Sequence, residues 1–301
     1  MDNAYAKQLH QGIVLMTLGT SIVPVMDAVA KHLGDTMSPL QITWGRFVFQ
    51  ALIMAIAVSI TIGPKALLPN EPVKHAIRGL LLAAATLCFF WSLQYLPLAD
   101  AIAIFFVQPM ILTLISGVVL REQIGWHRRI AVLCGFIGAI IIIRPGSDSF
   151  VLASFLPLAA AVLFASYLAM TRAVANIDHP ATMQFASGVA ATLALSIALI
   201  IANQWPQSGF APSTPTNTEW MWLAVIGVIA AGGHLLVVMA MNRAPASALA
   251  PFGYIEIVAA TLLGWLVFND WPDLWTWVGI FVIVASGIYV YYREQRLMRA
   301  N

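Results

Sequence analysis

Residues 98–120, LADAIAIFFVQPMILTLISGVVL, form a run of 23 residues in which only Asp100, near the start, is charged. A helix of about 20 apolar residues crosses the roughly 30 Å hydrocarbon core of a bilayer. Nine other runs have a similar length and character. The ten runs lie near residues 12–32, 39–62, 76–96, 98–120, 128–144, 151–173, 181–203, 219–241, 245–268 and 274–292. The chain is therefore predicted to be an all-α polytopic membrane protein with ten transmembrane helices.

The composition excludes several other classes of protein. Of the 301 residues, 60% are hydrophobic and 9% are charged, whereas about a quarter of the residues in a soluble domain are charged. A bilayer accepts apolar surface and penalises charge. The net charge of +2 comes without a basic arm, which argues against a nucleic-acid partner. Cys88 and Cys134 lie in apolar runs without neighbouring His, Asp or Glu, so we expect no disulfide framework, no metal site and no cofactor.

Basic residues predict the orientation. When the ten runs are threaded through a bilayer, twelve Lys and Arg residues fall on the side of both termini, Lys31 and Arg144 fall on the other side, and Arg46 lies within a run. Positive charge collects on the cytoplasmic side of membrane proteins. We therefore expect cytoplasmic termini, in the inner membrane of a bacterium. The twelve are Lys7, Lys65, Lys74, Arg78, Arg121, Arg128, Arg129, Arg172, Arg243, Arg293, Arg296 and Arg299.

The second half of the chain weakly repeats the first. Residues 98–101, LADA, open an apolar run, and residues 245–248, PASA, open a run of similar pattern. The repeat divides the chain into residues 1–146 and residues 147–301, with five runs in each part. Because five is odd, two homologous halves must enter the bilayer in opposite directions. Such inverted repeats are typical of secondary transporters.

Several turn and packing features carry a family resemblance. They are Pro39 to Arg46, Tyr95 to Ala101, Gln108-Pro109 with Gly117 to Glu122, and Pro251 to Glu256 with Gly264 to Asp270. In these residues, and over nearly its whole length, the chain resembles the EamA type of the drug/metabolite transporter superfamily. The resemblance implies ten helices, two pseudo-symmetric halves and a central cavity. Members of this family move amino acids, amines and other metabolites, often outward.

Glu256 is the most informative candidate for a functional residue. It lies in the middle of the ninth run, where an ionised carboxylate costs about 2.5–3.5 kcal/mol or more. Gln108, which precedes it by 148 residues at the matching position of the fourth run, is followed by Pro109. Both halves thus place a polar side chain at the bilayer midplane, where such folds bind their substrates. The alternative is a protonated Glu256 that only binds a neighbouring helix.

Arg46 and Asp27 lie at similar depth on the second and first runs. Pairing would neutralise both charges, and Lys31, one turn beyond Asp27, would then join the same network. Alternatively, Arg46 faces the cavity and holds a substrate carboxylate through its planar guanidinium group. The sequence leaves both roles open.

Three weaker candidates complete the predicted site. His234 on the eighth run titrates where a small change of environment lets it take up or release a proton. Trp91 and Tyr95, one turn apart near the end of the third run, offer aromatic faces for a cation. For all three residues, ordinary packing between helices is an equally open interpretation.

The chemistry of the chain favours transport over two other functions. It contains no Gly-x-Ser-x-Gly or His-Glu-x-x-His pattern and no phosphate-binding loop, so we predict that it is not an enzyme. A receptor or scaffold without transport remains the main alternative. We predict a secondary transporter, and by the resemblance an exporter, of a small polar metabolite, coupled to protons or a counter-substrate. Gly138 and Gly279 permit close helix approach, either inside the chain or in a homodimer.

Overall fold

The computed structural model describes residues 3–119, 126–146, 151–174, 177–241, 243–244, 249 and 252–300. In these ranges every regular element is helical. Short 3₁₀ turns occupy Pro64–Leu67, Leu152–Ser154 and Pro206–Ser208. The α-helices are α1 (Asn3–Leu33), α2 (Pro39–Thr61), α3 (Pro72–Ser92), α4 (Leu98–Phe105), α5 (Gln108–Val119), α6 (Trp126–Ile143), α7 (Phe155–Ala173), α8 (Pro180–Ala202), α9 (Asn217–Met241), α10 (Ile255–Phe268) and α11 (Leu274–Ala300).

Seven helical segments are long and apolar enough to cross a membrane. Six of them lie in α1, α2, α3, α7, α8 and α9, and the seventh is formed by α4 and α5 together. Shorter apolar helices occur at Arg129–Ile143, Ile255–Phe268 and Leu274–Tyr289. The described chain therefore has the all-helical architecture of a polytopic membrane protein, and its apolar helices coincide with the ten predicted runs.

Proline sets the start of three helices. Pro39, Pro72 and Pro180 each occupy the first turn of their helix, where a missing N–H costs nothing and the fixed φ suits a helix. Before α2 the hydroxyl of Ser38 accepts a hydrogen bond from the Gln41 amide at 3.3 Å. These caps end the preceding loops sharply, and they set where each helix enters the bundle.

The fourth predicted run is broken. α4 ends at Phe105 and α5 begins at Gln108, because Pro109 has no N–H to continue the α-helical ladder across the break. A second interruption precedes α10. Phe252 and Gly253 are helical, Tyr254 forms a turn, and the helix resumes at Ile255. Two helices thus begin inside the bundle.

Helices from the two ends of the sequence interdigitate. α1 packs against α9 and α10, α2 packs against α8 and α9, and α3 packs against α7 and α8. α4 contacts α7 and α10, and α6 lies along α11. Gly138 and Gly279 face each other in this last pair, where an added Cβ on Gly279 would lie 2.7 Å from the Gly138 carbonyl oxygen. These glycines are therefore used for packing inside the chain, and a homodimer stays a prediction without their support.

Candidate functional site

Arg46 lies at the centre of the bundle and is 2% exposed. Its Nη1 donates to the Thr86 hydroxyl on α3, and its Nη2 lies 3.2 Å from His234 Nε2 on α9. Because a guanidinium group only donates, His234 must accept through Nε2 and carry its proton on Nδ1. The Nε–H of Arg46 is buried and meets no acceptor among the described residues. Arg46 is therefore fixed by two neighbours and keeps a donor for a ligand.

Two carboxylates accompany this guanidinium group. Asp27 on α1 is 3% exposed and interacts electrostatically with Arg46. Glu256 on α10 lies deep in the bundle, keeps some accessible surface, and interacts electrostatically with Asp27. Neither carboxylate receives a hydrogen bond from a residue that the structure describes. Arg46, Asp27, His234 and Glu256 together are called the central cluster below.

The acidic and imidazole side chains of the central cluster do not form a metal-binding arrangement among the described residues. No group of three or more His, Cys, Asp or Glu side chains in the described ranges is arranged to hold a metal ion. Instead the cluster offers one guanidinium donor beside two carboxylate acceptors. This set suits an organic ligand that carries both acceptor and donor groups.

The two interior helix starts carry the midplane polar residues predicted from the sequence. Gln108 is the first residue of α5, and Glu256 lies in the first turn of α10. The free N–H groups and the dipole at a helix N-terminus favour negative charge. The N-terminus of α10 therefore offers amide donors to an acidic ligand group. Gln108 is half-buried, and its side chain forms no hydrogen bond with the central cluster among the described residues, so its role in the site stays a prediction.

Aromatic rings form an apolar wall in the bundle. Phe105 on α4 contacts Phe89 on α3 and Phe164 on α7, both with ring centroids 5.4 Å apart. Phe164 in turn contacts Tyr167 at 5.6 Å. Tyr167 also interacts electrostatically with Arg46. The wall therefore extends to the central cluster.

Three sequence candidates lie elsewhere. The ammonium of Lys31 binds the Asp270 carboxylate at 2.6 Å and the Leu96 carbonyl at 3.2 Å, so it does not join Asp27. Trp91 packs against Phe210, beyond the end of α8, with ring centroids 4.8 Å apart. Tyr95 is 54% exposed in the turn after α3. The structure thus separates these residues from the central cluster.

Sequence reasoning missed Arg78 and its partners. The sequence placed Arg78 with the loop charges on the side of both termini. In the structure its side chain is buried, with 2% exposed, and it donates hydrogen bonds to α7 and α8. His75 and Asp178 lie beside it. The available signal was the position of Arg78, six residues inside an apolar helix that begins at Pro72.

An all-helical membrane bundle with a buried charged cluster is typical of a membrane transport protein. The family model described as "EamA-like transporter family" matches residues 10–144 and 151–292. The chain belongs to this family of transporters, and the predicted family is confirmed.

Known relatives cover most of the chain. It is 25% identical to an S-adenosylmethionine uptake transporter of Rickettsia prowazekii over 100% of this chain and 99% of the relative. It is 33% identical to a riboflavin transporter of Vibrio cholerae over 75% of this chain and 73% of the relative. It is 26% identical to a pseudopaline exporter of Pseudomonas aeruginosa over 93% and 95%. A solved crystal structure with 19% identity covers 94% of this chain and 98% of its own, with a TM-score of 0.64, and supports the fold.

Proposed function

We propose that this chain is a secondary active transporter that binds a small polar metabolite at the central cluster. The observation that carries the proposal is the unused Nε–H of buried Arg46 in a cluster with two carboxylates, Asp27 and Glu256, which receive no hydrogen bond from the described residues. Burying such groups without compensation is costly. A ligand that pairs with all of these groups offsets this cost. The cluster therefore selects such a ligand over one that leaves a group unpaired.

The charges suggest the substrate class. A carboxylate or carbonyl of the ligand accepts from Arg46, and an ammonium or other cationic group faces Asp27 and Glu256. The aromatic wall supports an apolar or cationic part of the ligand. An amino acid, an amine or a related compound satisfies this set. The relatives named for S-adenosylmethionine uptake and for pseudopaline export support a small-metabolite substrate.

We further propose that residues 1–146 and residues 147–301 form two inverted repeats. The family model matches the chain twice, once in each half. In such a repeat α1 corresponds to α7, and α3 corresponds to α9. The α1–α9 contact then corresponds to the α7–α3 contact, and both contacts exist. Thr86 and His234, the partners of Arg46, are 148 residues apart, as are Gln108 and Glu256. These relations support alternating access around the central cluster.

Orientation, coupling and direction belong to the same proposal. The distribution of basic residues supports cytoplasmic termini, and the similarity to bacterial transporters supports an inner membrane. Glu256 either faces a substrate cation or carries a coupling proton, and a counter-substrate is the alternative driving force. Relatives are named for uptake and for export, so the proposed export rests on the family resemblance.

Proteoliposomes that contain only this chain test the function. The panel comprises radiolabelled amino acids, amines, organic anions, S-adenosylmethionine and riboflavin, under an imposed proton gradient or after loading with unlabelled compound. We expect accumulation of at least one compound without ATP. Glu256→Gln should abolish transport or its pH dependence, while Lys74→Gln, which changes an exposed ion pair with Glu71, should have no effect. Activity that requires ATP and a second subunit would contradict the proposal.

A further inference from the structure

A continuous polar network closes one end of the bundle. His75 Nε2 on α3 lies 2.9 Å from the Asp178 carboxylate, in the loop before α8, and Asp178 also accepts from the Asn70 amide at 3.1 Å. The side chains of His75 and Asp178 are 0% and 6% exposed. We call this region, with residues 62–71 and 177–179, the Asp178 end.

Arg78 extends the network into the bundle. Its Nε donates to Thr171 on α7 at 2.9 Å, and its Nη1 donates to Ser187 on α8 at 3.2 Å. Its Nη2 donates to the Tyr167 hydroxyl at 3.3 Å. One side chain from residues 1–146 thus binds two helices from residues 147–301. His75, Arg78, Tyr167, Thr171, Asp178 and Ser187 are called the polar lock below.

The hydrogen bonds of the polar lock have a fixed direction. Arg78 Nη1 lies 3.2 Å from His75 Nδ1, and since Arg78 only donates, His75 accepts there and donates to Asp178 through Nε2. A neutral imidazole thus connects a guanidinium group to a carboxylate. Partial desolvation raises the pKa of Asp178, but hydrogen bonds from His75 and Asn70 outweigh it and hold the pKa below its usual range.

The polar lock lies where two helices touch. An added Cβ on Gly79, next to Arg78, would lie 2.3 Å from the Ser187 carbonyl oxygen, so the backbones of α3 and α8 are in direct contact. This contact leaves no passage between them.

The corresponding contact at the other end is apolar. There α2 packs on α9 through Gly45 against Leu223 and through Gly227 against Phe49. Leu223 is 0% exposed. We call the end that holds residues 34–38, 93–97 and 269–273 the Asp270 end, after the ion pair of Asp270 with Lys31.

We propose that the polar lock is the gate of the Asp178 end and that its hydrogen bonds break when this end opens. This inference deepens the proposed transport function and rests on it. Hydrogen bonds exchange with water at a small net cost, whereas an interlocked apolar contact loses its burial when it opens. The α3–α8 contact and the α2–α9 contact therefore open by different chemistry, with Asp178 and Arg78 hydrated when the Asp178 end is open.

Hydrogen–deuterium exchange measured by mass spectrometry on the purified full chain, without substrate, tests the gate. Asp178→Ala should raise amide exchange in residues 72–79 and 180–187 on the order of tenfold. Exchange in residues 34–41 and 217–223, at the Asp270 end, should fall, because opening of one end accompanies closing of the other. Tyr167→Phe removes one hydrogen bond and keeps the ring, so it should give the same pattern with a smaller rise. Lys74→Gln is the matched control on α3 and should change neither end.

A gate opens one end of the bundle while the other end closes, so amide exchange rises at the Asp178 end and falls at the Asp270 end. Loss of a purely structural network raises exchange without this fall. If exchange at the Asp270 end rises or stays unchanged in either variant, or if exchange at the Asp178 end does not rise, the gate assignment is wrong. Should Asp178→Ala fail to fold, Tyr167→Phe carries the same comparison. If the protein transports no compound of the panel but its variants show the expected exchange pattern, the gate assignment stands and the proposed transport function fails. The two failures are therefore distinguishable.

Discussion

Two substitutions of Arg46 test separately the positive charge of its side chain and the geometry of its hydrogen bonds. Arg46→Lys keeps a positive charge near Asp27 but loses the planar fork that reaches Thr86 and His234 together. It also removes the Nε–H that we assign to the ligand. A hydrogen bond to a charged group contributes about 1.5–3 kcal/mol. At 1.4 kcal/mol per tenfold, the affinity for the transported compound should fall roughly 10- to 100-fold.

Arg46→Met tests the contribution of the positive charge. It leaves Asp27 buried beside Glu256 without a compensating cation, and breaking a buried charge pair in this way costs about 3–5 kcal/mol. We therefore expect a large loss of thermal stability for Arg46→Met and a small one for Arg46→Lys.

Two measurements decide between these outcomes. Binding of the panel compound that the wild-type protein transports gives the affinity, and intrinsic tryptophan fluorescence during heating gives the stability. Gln41→Ala, in the loop contact with Ser213 outside the central cluster, controls for nonspecific effects on binding. Wild-type affinity and transport in Arg46→Lys would refute the assignment of Arg46 to the ligand, whatever its effect on folding.

Three further predictions concern the ends of the bundle. Asp178 has a lowered pKa, so its ionised form stabilises the fold above the ordinary carboxyl pKa of about 3.9, and this contribution is lost as the pH falls through the folded-state pKa. The difference in melting temperature between wild type and Asp178→Asn should therefore be present at pH 7 and shrink below about pH 4; a difference that is the same at both pH values would contradict it. Gly79→Val should force α3 from the Ser187 backbone and destabilise the protein by about 1–3 kcal/mol, measured as a lower melting temperature. Cysteines placed at Lys7 and Ser213 should react with an impermeant thiol reagent from opposite sides of the membrane, and labelling from one side would reject the ten-helix topology.

Much of the helical architecture was predictable because crossing a bilayer is a local property. Each run of about 20 apolar residues must satisfy its own backbone hydrogen bonds, so length and hydropathy alone indicate a helix. Pro109 adds a local signal, since a residue without an N–H disrupts the helical ladder at a known place. Pro251 and Gly253 precede the interruption at Tyr254, yet the length and hydropathy of the run alone predicted a continuous helix there.

The candidate site was predictable only in part. The cost of charge in a membrane singled out Glu256, Arg46 and Asp27, and the structure places Asp27 within electrostatic range of both Arg46 and Glu256. The same cost argument applied to Arg78, but a basic residue near a helix end is also a common loop charge. Hydropathy does not distinguish the two cases.

The sequence by itself determined that the chain is a helical membrane protein and which family it resembles, because both depend on composition and spacing along one chain. Only the tertiary structure decided the partners. Lys31 binds Asp270, 239 residues away, although Asp27 lies one turn from it. Trp91 packs against the 203–216 loop, and Arg46 binds His234 across 188 residues. The physical reason is that partners depend on the rotation of each helix about its axis and on which helices become neighbours, and neither quantity is contained in the periodicity of a single apolar helix.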